Sequence, residues 1–334
     1  MPIVNSDCEN WHPKNRMRHG KENQMRRRNP NFPLYRAGTL VASVILAAAN
    51  PLFGMPANTP ENLPPAELVR LTVAHEVAAA EHASVKHRFR SRRETGHGSQ
   101  TKIYVETRDA MLGMVVAYND QPASPAQMQA EKSRLQRLIK DPEHLHRRQK
   151  QEKEDTEHTL RIVRALPDAF LYEYEGTQDG TGDVGRIGDK LLRLKFRPNP
   201  TYAPPSHVQQ VLTGMQGELL IDAQCHRIAR IDGTLFKEVG FGWDILGHLD
   251  KGSHFMVQQA EVTDGTWDVT RMVLNFTGKI LLLKSLNIKT DEVFSDFWRV
   301  PESMTIAQGV ELLESQEVRS AQAQNDKTET AQRR

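Results

Sequence analysis

The sequence predicts an α+β fold built on one antiparallel sheet faced by helices. Three observations carry this. From Ala169 onward apolar residues recur at every second position, as in Leu192-Leu194-Phe196 set against Lys195 and Arg197. Gly-containing turns separate these stretches every 10–15 residues. Helical patterning, by contrast, is concentrated before residue 167, and strands segregated from helices are the mark of an α+β domain.

In chain order, Pro64-Pro65 starts a helix in the favoured N-terminal place for proline, and Leu68, Leu71 and Val77 carry it to about His82. Strands follow at Ser84 to Arg93, Thr101 to Thr107 and Met111 to Tyr118, with turn chemistry at Gly96-His97-Gly98 and Asn119-Asp120. Ser124-Pro125 and Asp141-Pro142 are capped helix starts, the second helix running to about Leu166. Between Glu131 and Arg161 stand nine Lys/Arg and seven Asp/Glu with no aromatic residue. Mixed charge at four-residue spacing, as in Glu143 and Arg147, predicts a solvated insertion, 124–166, that lies outside the sheet and buries little. Strands resume at Phe170, Leu192, Gly217 to Asp222, Arg227 to Lys237, Ser253 to Val262, Trp267 to Phe276 and Lys279 to Ile288, with turns expected at Asp264-Gly265 and Thr277-Gly278. A short helix over 302–316 and a polar, Gln-rich, disordered tail over 317–334 follow the domain as its last segment, 302–334.

The 334 residues allow one large or two modest domains, and a hydrophobic share of 38% excludes wholesale disorder and a polytopic membrane protein. The 44 Lys+Arg nearly balance the 42 Asp+Glu, but residues 1–36 hold eight of the bases and three of the acids. The remainder is slightly acidic, which excludes nucleic acid as a partner. Arg26-Arg27-Arg28 precede an uncharged run of 13 residues, Ala37 to Ala49. As a helix that run rises about 20 Å, short of the roughly 30 Å hydrocarbon core. Asn50-Pro51 then breaks it, which is the layout of a secretory signal peptide. The expected leader is 1–57, with 25–57 as the signal peptide and 1–24 upstream of a plausible start at Met17 or Met25. The mature protein is expected in the periplasm, free or associated with the membrane surface. The domain is expected over 63–301.

Chemical motifs are sparse. Gly180-Thr181-Gly182-Asp183-Val184-Gly185 matches a dinucleotide fingerprint in letters, but the strand-like residues after it supply no helix N-terminus for a pyrophosphate. His75-Glu76 lacks a histidine at position 79, where Ala stands, and no third ligand accompanies His75 and His82. Asp179 and Asp183 bracket a loop without the bidentate glutamate of a calcium site. Cys225 and His226 are strand neighbours pointing to opposite faces. No catalytic residue, metal or cofactor is therefore expected, and the chain reads as a non-enzyme. The late strands are rich in large apolar residues, and Phe236, Phe241, Trp243, Phe255, Trp267 and Phe276 are the candidates to line an acyl-chain site. Arg230 is the candidate to meet an ester or head-group oxygen.

Gly217-Glu218-Leu219-Leu220-Ile221-Asp222, followed by His226-Arg227-Ile228-Ala229-Arg230-Ile231, resembles the G-x-hydrophobic-x-hydrophobic-Asp hairpin of the LolA/LolB-type lipoprotein-carrier superfamily. That pattern also occurs in outer-membrane lipoprotein-sorting proteins and RseB-like sensors. Gly240-Phe241-Gly242-Trp243 through Gly252, Asn275-Phe276 and Ser295-Asp296-Phe297 look like an exported acidobacterial branch of it. The resemblance spans about Leu63 to Pro301. It implies an antiparallel β half-barrel whose concave side is covered by helices and takes a lipid or lipoprotein acyl chain. The charged insertion departs from the pattern. The alternative it leaves is a sensory or structural envelope module that binds a protein partner, and a hydrolase with a dispersed site comes third.

Overall fold

Alternation of apolar and polar residues has produced one open antiparallel sheet. The computed structural model describes residues 63–241, 247–280 and 284–315, so the leader and Trp243 lie outside the described residues. Helix α1 (Pro65–Glu81) leads into β1 (Lys86–Thr95), β2 (Gly98–Glu106), β3 (Met111–Tyr118) and the short β4 (Gln121–Pro122). Helices α2 (Pro125–Lys140) and α3 (Pro142–Ala169) come next, then β5 (Phe170–Asp179) and β6 (Lys190–Pro198). After a one-turn α4 (His207–Gln210) the chain forms β7 (Met215–Asp222), β8 (Ile228–Leu235), β9 (Val239–Phe241) and β10 (Gly247–Leu249). β11 (His254–Thr263), β12 (Thr266–Ile280) and β13 (Lys284–Val300) precede a helix, α5, over 306–315.

The strand order is β4-β3-β2-β1-β13-β12-β11-β8-β7-β6-β5, with β10 pairing β12 and β9 beside it. β13 therefore returns to pair with β1, joining strands some two hundred residues apart. Among the described residues the main path ends at β4 and β5, β9 pairs only β10, and no helix is long and apolar enough to cross a membrane.

Two faces of the sheet are packed at opposite ends. At the β5 end, register pairs Leu194 with Leu219 and Leu192 with Ile221, so all four point to one side. There they meet Leu68, Val69 and Val73 of α1 and Leu166 and Ala169 of α3. Their neighbours Lys195 and Glu218, also paired, point the other way into solvent. At the β3 end, Ile103, Val105, Leu112 and Met114 bury Leu135 and Leu138 of α2 and Ile306, Val310 and Leu313 of α5.

The structure corrects two expectations. The insertion does not merely decorate the surface: Leu135 is wholly buried, and α3 continues to Ala169, another core residue. Its apolar stripe is thin, but Leu135 and Leu138 are spent on the sheet while Ile139 stays exposed. Thr277-Gly278 is likewise not a turn, because β12 runs through it to Ile280. Gly278 is required there by close approach, since a Cβ would stand 2.1 Å from the His248 carbonyl oxygen of β10.

Candidate functional site

Register follows single rows of side chains across the middle of the sheet. One row runs Leu194, Leu219, Ile231, Val257, Met272, Glu292 and Arg93, from β6 to β1. The next runs Gly233, Phe255, Leu274, Thr290 and Thr95, and Phe276 faces Ile288 one step further. Directly paired antiparallel residues share a face. The floor of the α1–α3 core thus continues past the helices as an apolar surface on β11, β12 and β13.

Val257, Met272, Leu274 and Phe276 are half-buried and Ile288 is 37% exposed. Among the described residues none of these five joins a buried cluster. The opposite face of the same strands mixes Met256, Val273 and Val293 with charge, Arg271 being held there by Asp291 at 2.6 Å. Beyond the apolar stretch the surface turns polar and then aromatic. Ser91 donates to Glu292 at 2.5 Å, both buried, and Phe89 stacks between Tyr104 and Phe297 with centroids 5.3 Å from each. Burial, reinforced by the Glu292 charge, raises the Tyr104 phenol above its ordinary range.

The candidate residues divide. Phe255 and Phe276 share the apolar face. Phe255 leans back onto the α1–α3 core across Gly233, whose absent Cβ would stand 2.5 Å from the ring. Trp267 is buried with Val184, Leu191, Leu220 and Ala229 in a separate cluster, capped by the glycine-rich loop after β5. Phe236 is exposed, with the Lys237 ammonium 5.7 Å from its ring centre. Arg230 bonds Glu218 on the polar face. Phe241 closes β9, and Trp243 lies outside the described residues. Sequence reading passed over Val257, Met272, Leu274 and Ile288 in favour of rings, although Met272, Leu274 and Phe276 alternate with Arg271 and Asn275.

The rejected motifs have structural duties. The loop carrying Gly180 to Gly185 donates its Gly185 amide to the Gln259 carbonyl, binding it to β11. The His75 ring stands edge-on to His226, centroids 5.5 Å apart.

No family model and no curated protein matches this chain. Among solved structures it is similar to a crystal structure described as an outer membrane lipoprotein-sorting protein domain from Vibrio parahaemolyticus. The identity is 10% and the TM-score 0.25, over 69% of this chain and 91% of that one. It is also similar to a DUF1329 family protein from Desulfovibrio piger ATCC 29098, at 10% identity and a TM-score of 0.26, over 71% of this chain and 94% of that one. At these scores neither likeness bears on what the chain binds. What the residues themselves establish is an open antiparallel α+β sheet with an apolar patch on β11, β12 and β13 outside the buried clusters.

Proposed function

We propose that the protein is a non-enzymatic, exported binder of a lipid or lipoprotein acyl chain, and that the chain lies along the apolar face of β11, β12 and β13. The observation that carries this is the patch of Val257, Met272, Leu274, Phe276 and Ile288, which share one face of three strands and pack into no core among the described residues. The mechanism is reversible burial. Each methylene removed from water contributes about 0.8 kcal/mol, so roughly six of them supply about 5 kcal/mol before ordering costs. The 13-residue apolar run behind Arg26-Arg27-Arg28 supports delivery to the periplasm, where such a ligand is met.

The test is titration of a fluorescent acyl probe into the purified chain, with mass spectrometry of lipids extracted from it. Leu274→Gln should weaken the probe by at least about tenfold, as burial of one or two methylenes is lost, while the urea midpoint stays near wild type. A wild-type chain that takes up no probe and carries no lipid overturns the proposal.

A further inference from the structure

We infer that Glu238, His248 and Asp250 form a binding site for one divalent transition ion of the zinc class. This does not depend on the acyl-chain reading. The ligand atoms of the three side chains lie within 4.8 Å of one another. His248 Nε2 is 3.4 Å from Asp250 Oδ1 and 4.0 Å from Glu238 Oε2. In a tetrahedral zinc site with bonds near 2.05 Å, ligand atoms stand about 3.3 Å apart. The first distance already matches, and the second closes by a small rotation of an exposed glutamate.

Strand geometry brings the three together. β9 and β10 pair Phe241 with Gly247, Gly240 with His248 and Val239 with Leu249. One step further along that register sets Glu238 opposite Asp250, and His248 lies two residues before Asp250 on the same side. Like charges facing one another across a hairpin are destabilising. Among the described residues His248 is the only basic group in ion-pair reach of either carboxylate. Lys237 is turned to the Phe236 ring, and Lys279, across from His248 on β12, makes no ion pair with either acid. The trio presents one imidazole nitrogen and two carboxylates.

That donor set selects the metal. Calcium and magnesium prefer all-oxygen shells, whereas an imidazole with carboxylates suits zinc and its neighbours. The Glu238 side chain is 61% exposed, so water completes the shell. A bound ion would clip β9 to β10, whose Gly247 pairs with Ile280 at the end of β12.

The experiment uses the full chain stripped with a chelator and titrated with Zn2+ by calorimetry, with Co2+ absorption as a geometric readout. One equivalent should bind, and Zn2+ should raise the unfolding temperature, because it binds only the folded hairpin. His248→Ala, and separately Glu238→Gln with Asp250→Asn, should each weaken binding by at least about tenfold and abolish the thermal shift. Glu238 is exposed enough that Glu238→Gln alone leaves the metal-free fold intact and still reports. Absence of binding, or equal binding by wild type and all variants, overturns the inference.

Discussion

Glu76 of α1 and Arg227 at the head of β8 meet in a two-point ion pair, Arg227 Nε to Oε1 at 2.9 Å and a second guanidinium nitrogen to Oε2 at 3.1 Å. The Ile228 amide donates to the same Oε1 at 2.7 Å, and the guanidinium lies 5.8 Å from the centre of the Trp267 ring. One carboxylate thus anchors the first helix to the sheet and orders the start of a strand. Removing it leaves a largely buried guanidinium and a strand amide without an acceptor. Glu76→Ala should therefore cost about 3 kcal/mol, read as a lower midpoint in urea unfolding.

Leu135 lies wholly buried between β2, β3 and α5. Leu135→Ala should cost about 2–5 kcal/mol, the transfer and cavity terms together. Exposed Ile139, on the same helix, should lose far less on the same change, which ties the cost to packing rather than to helix propensity.

Trp267 and Phe276 occupy different environments on one strand. Trp267 fills a closed cluster, and Trp267→Ala should cost about 3–5 kcal/mol. Phe276 belongs to no buried cluster among the described residues, and Phe276→Ala should cost under about 2 kcal/mol, because fewer protein atoms lose contacts. Chemical denaturation of the two variants side by side checks the ordering.

Asp222 is fully buried, with Oδ1 accepting from the Gln224 and Cys225 amides at 2.9 and 2.7 Å. Burial is the main cause that raises its carboxyl above the ordinary range; the Glu261 charge adds to this, while the two amides and Arg186 oppose it. A carboxyl raised in the fold favours the folded state when protonated. Its contribution is present below the unfolded value of about 3.9 and is lost as pH rises through the folded value. Asp222→Asn keeps the Oδ1 acceptor and removes the titration. Stability measured against pH should lose that part of its slope.

His87 has the opposite sign. Burial first, then the charges of Arg299 and Lys86, hold its imidazole below the ordinary range. Its ring stands edge-on to Phe297, with Nε2 2.9 Å from the Thr263 hydroxyl. The stability it contributes is present above about pH 6.5 and is lost as pH falls towards the folded value. The urea midpoint should fall on acidification through that window, and His87→Gln should fall less.

Local chemistry by itself determined much of this protein. Ser124 and Gln127 close a capping box at α2, and Asp141 caps α3 through the His144 amide, both legible as Ser-Pro and Asp-Pro starts. The period-two alternation of Met272, Leu274 and Phe276 with Arg271 and Asn275 determined which residues share a face, because strand geometry is the same wherever the strand goes. Tertiary structure alone decided which faces are covered. Leu135 and Leu138 sit in a segment whose charge pattern reads as solvated, yet β3 and α5 arrive to bury them. Trp267 looked available until the loop bearing Val184 closed over it. Glu76 and Arg227 lie 151 residues apart, and no local signal joins them. Glu238, His248 and Asp250 are close in sequence, but only the β9–β10 register turns three ordinary surface residues towards one point. Periodicity is a property of the backbone and is written in short windows, whereas coverage and convergence depend on which distant segment arrives, and that is settled by packing of the whole chain.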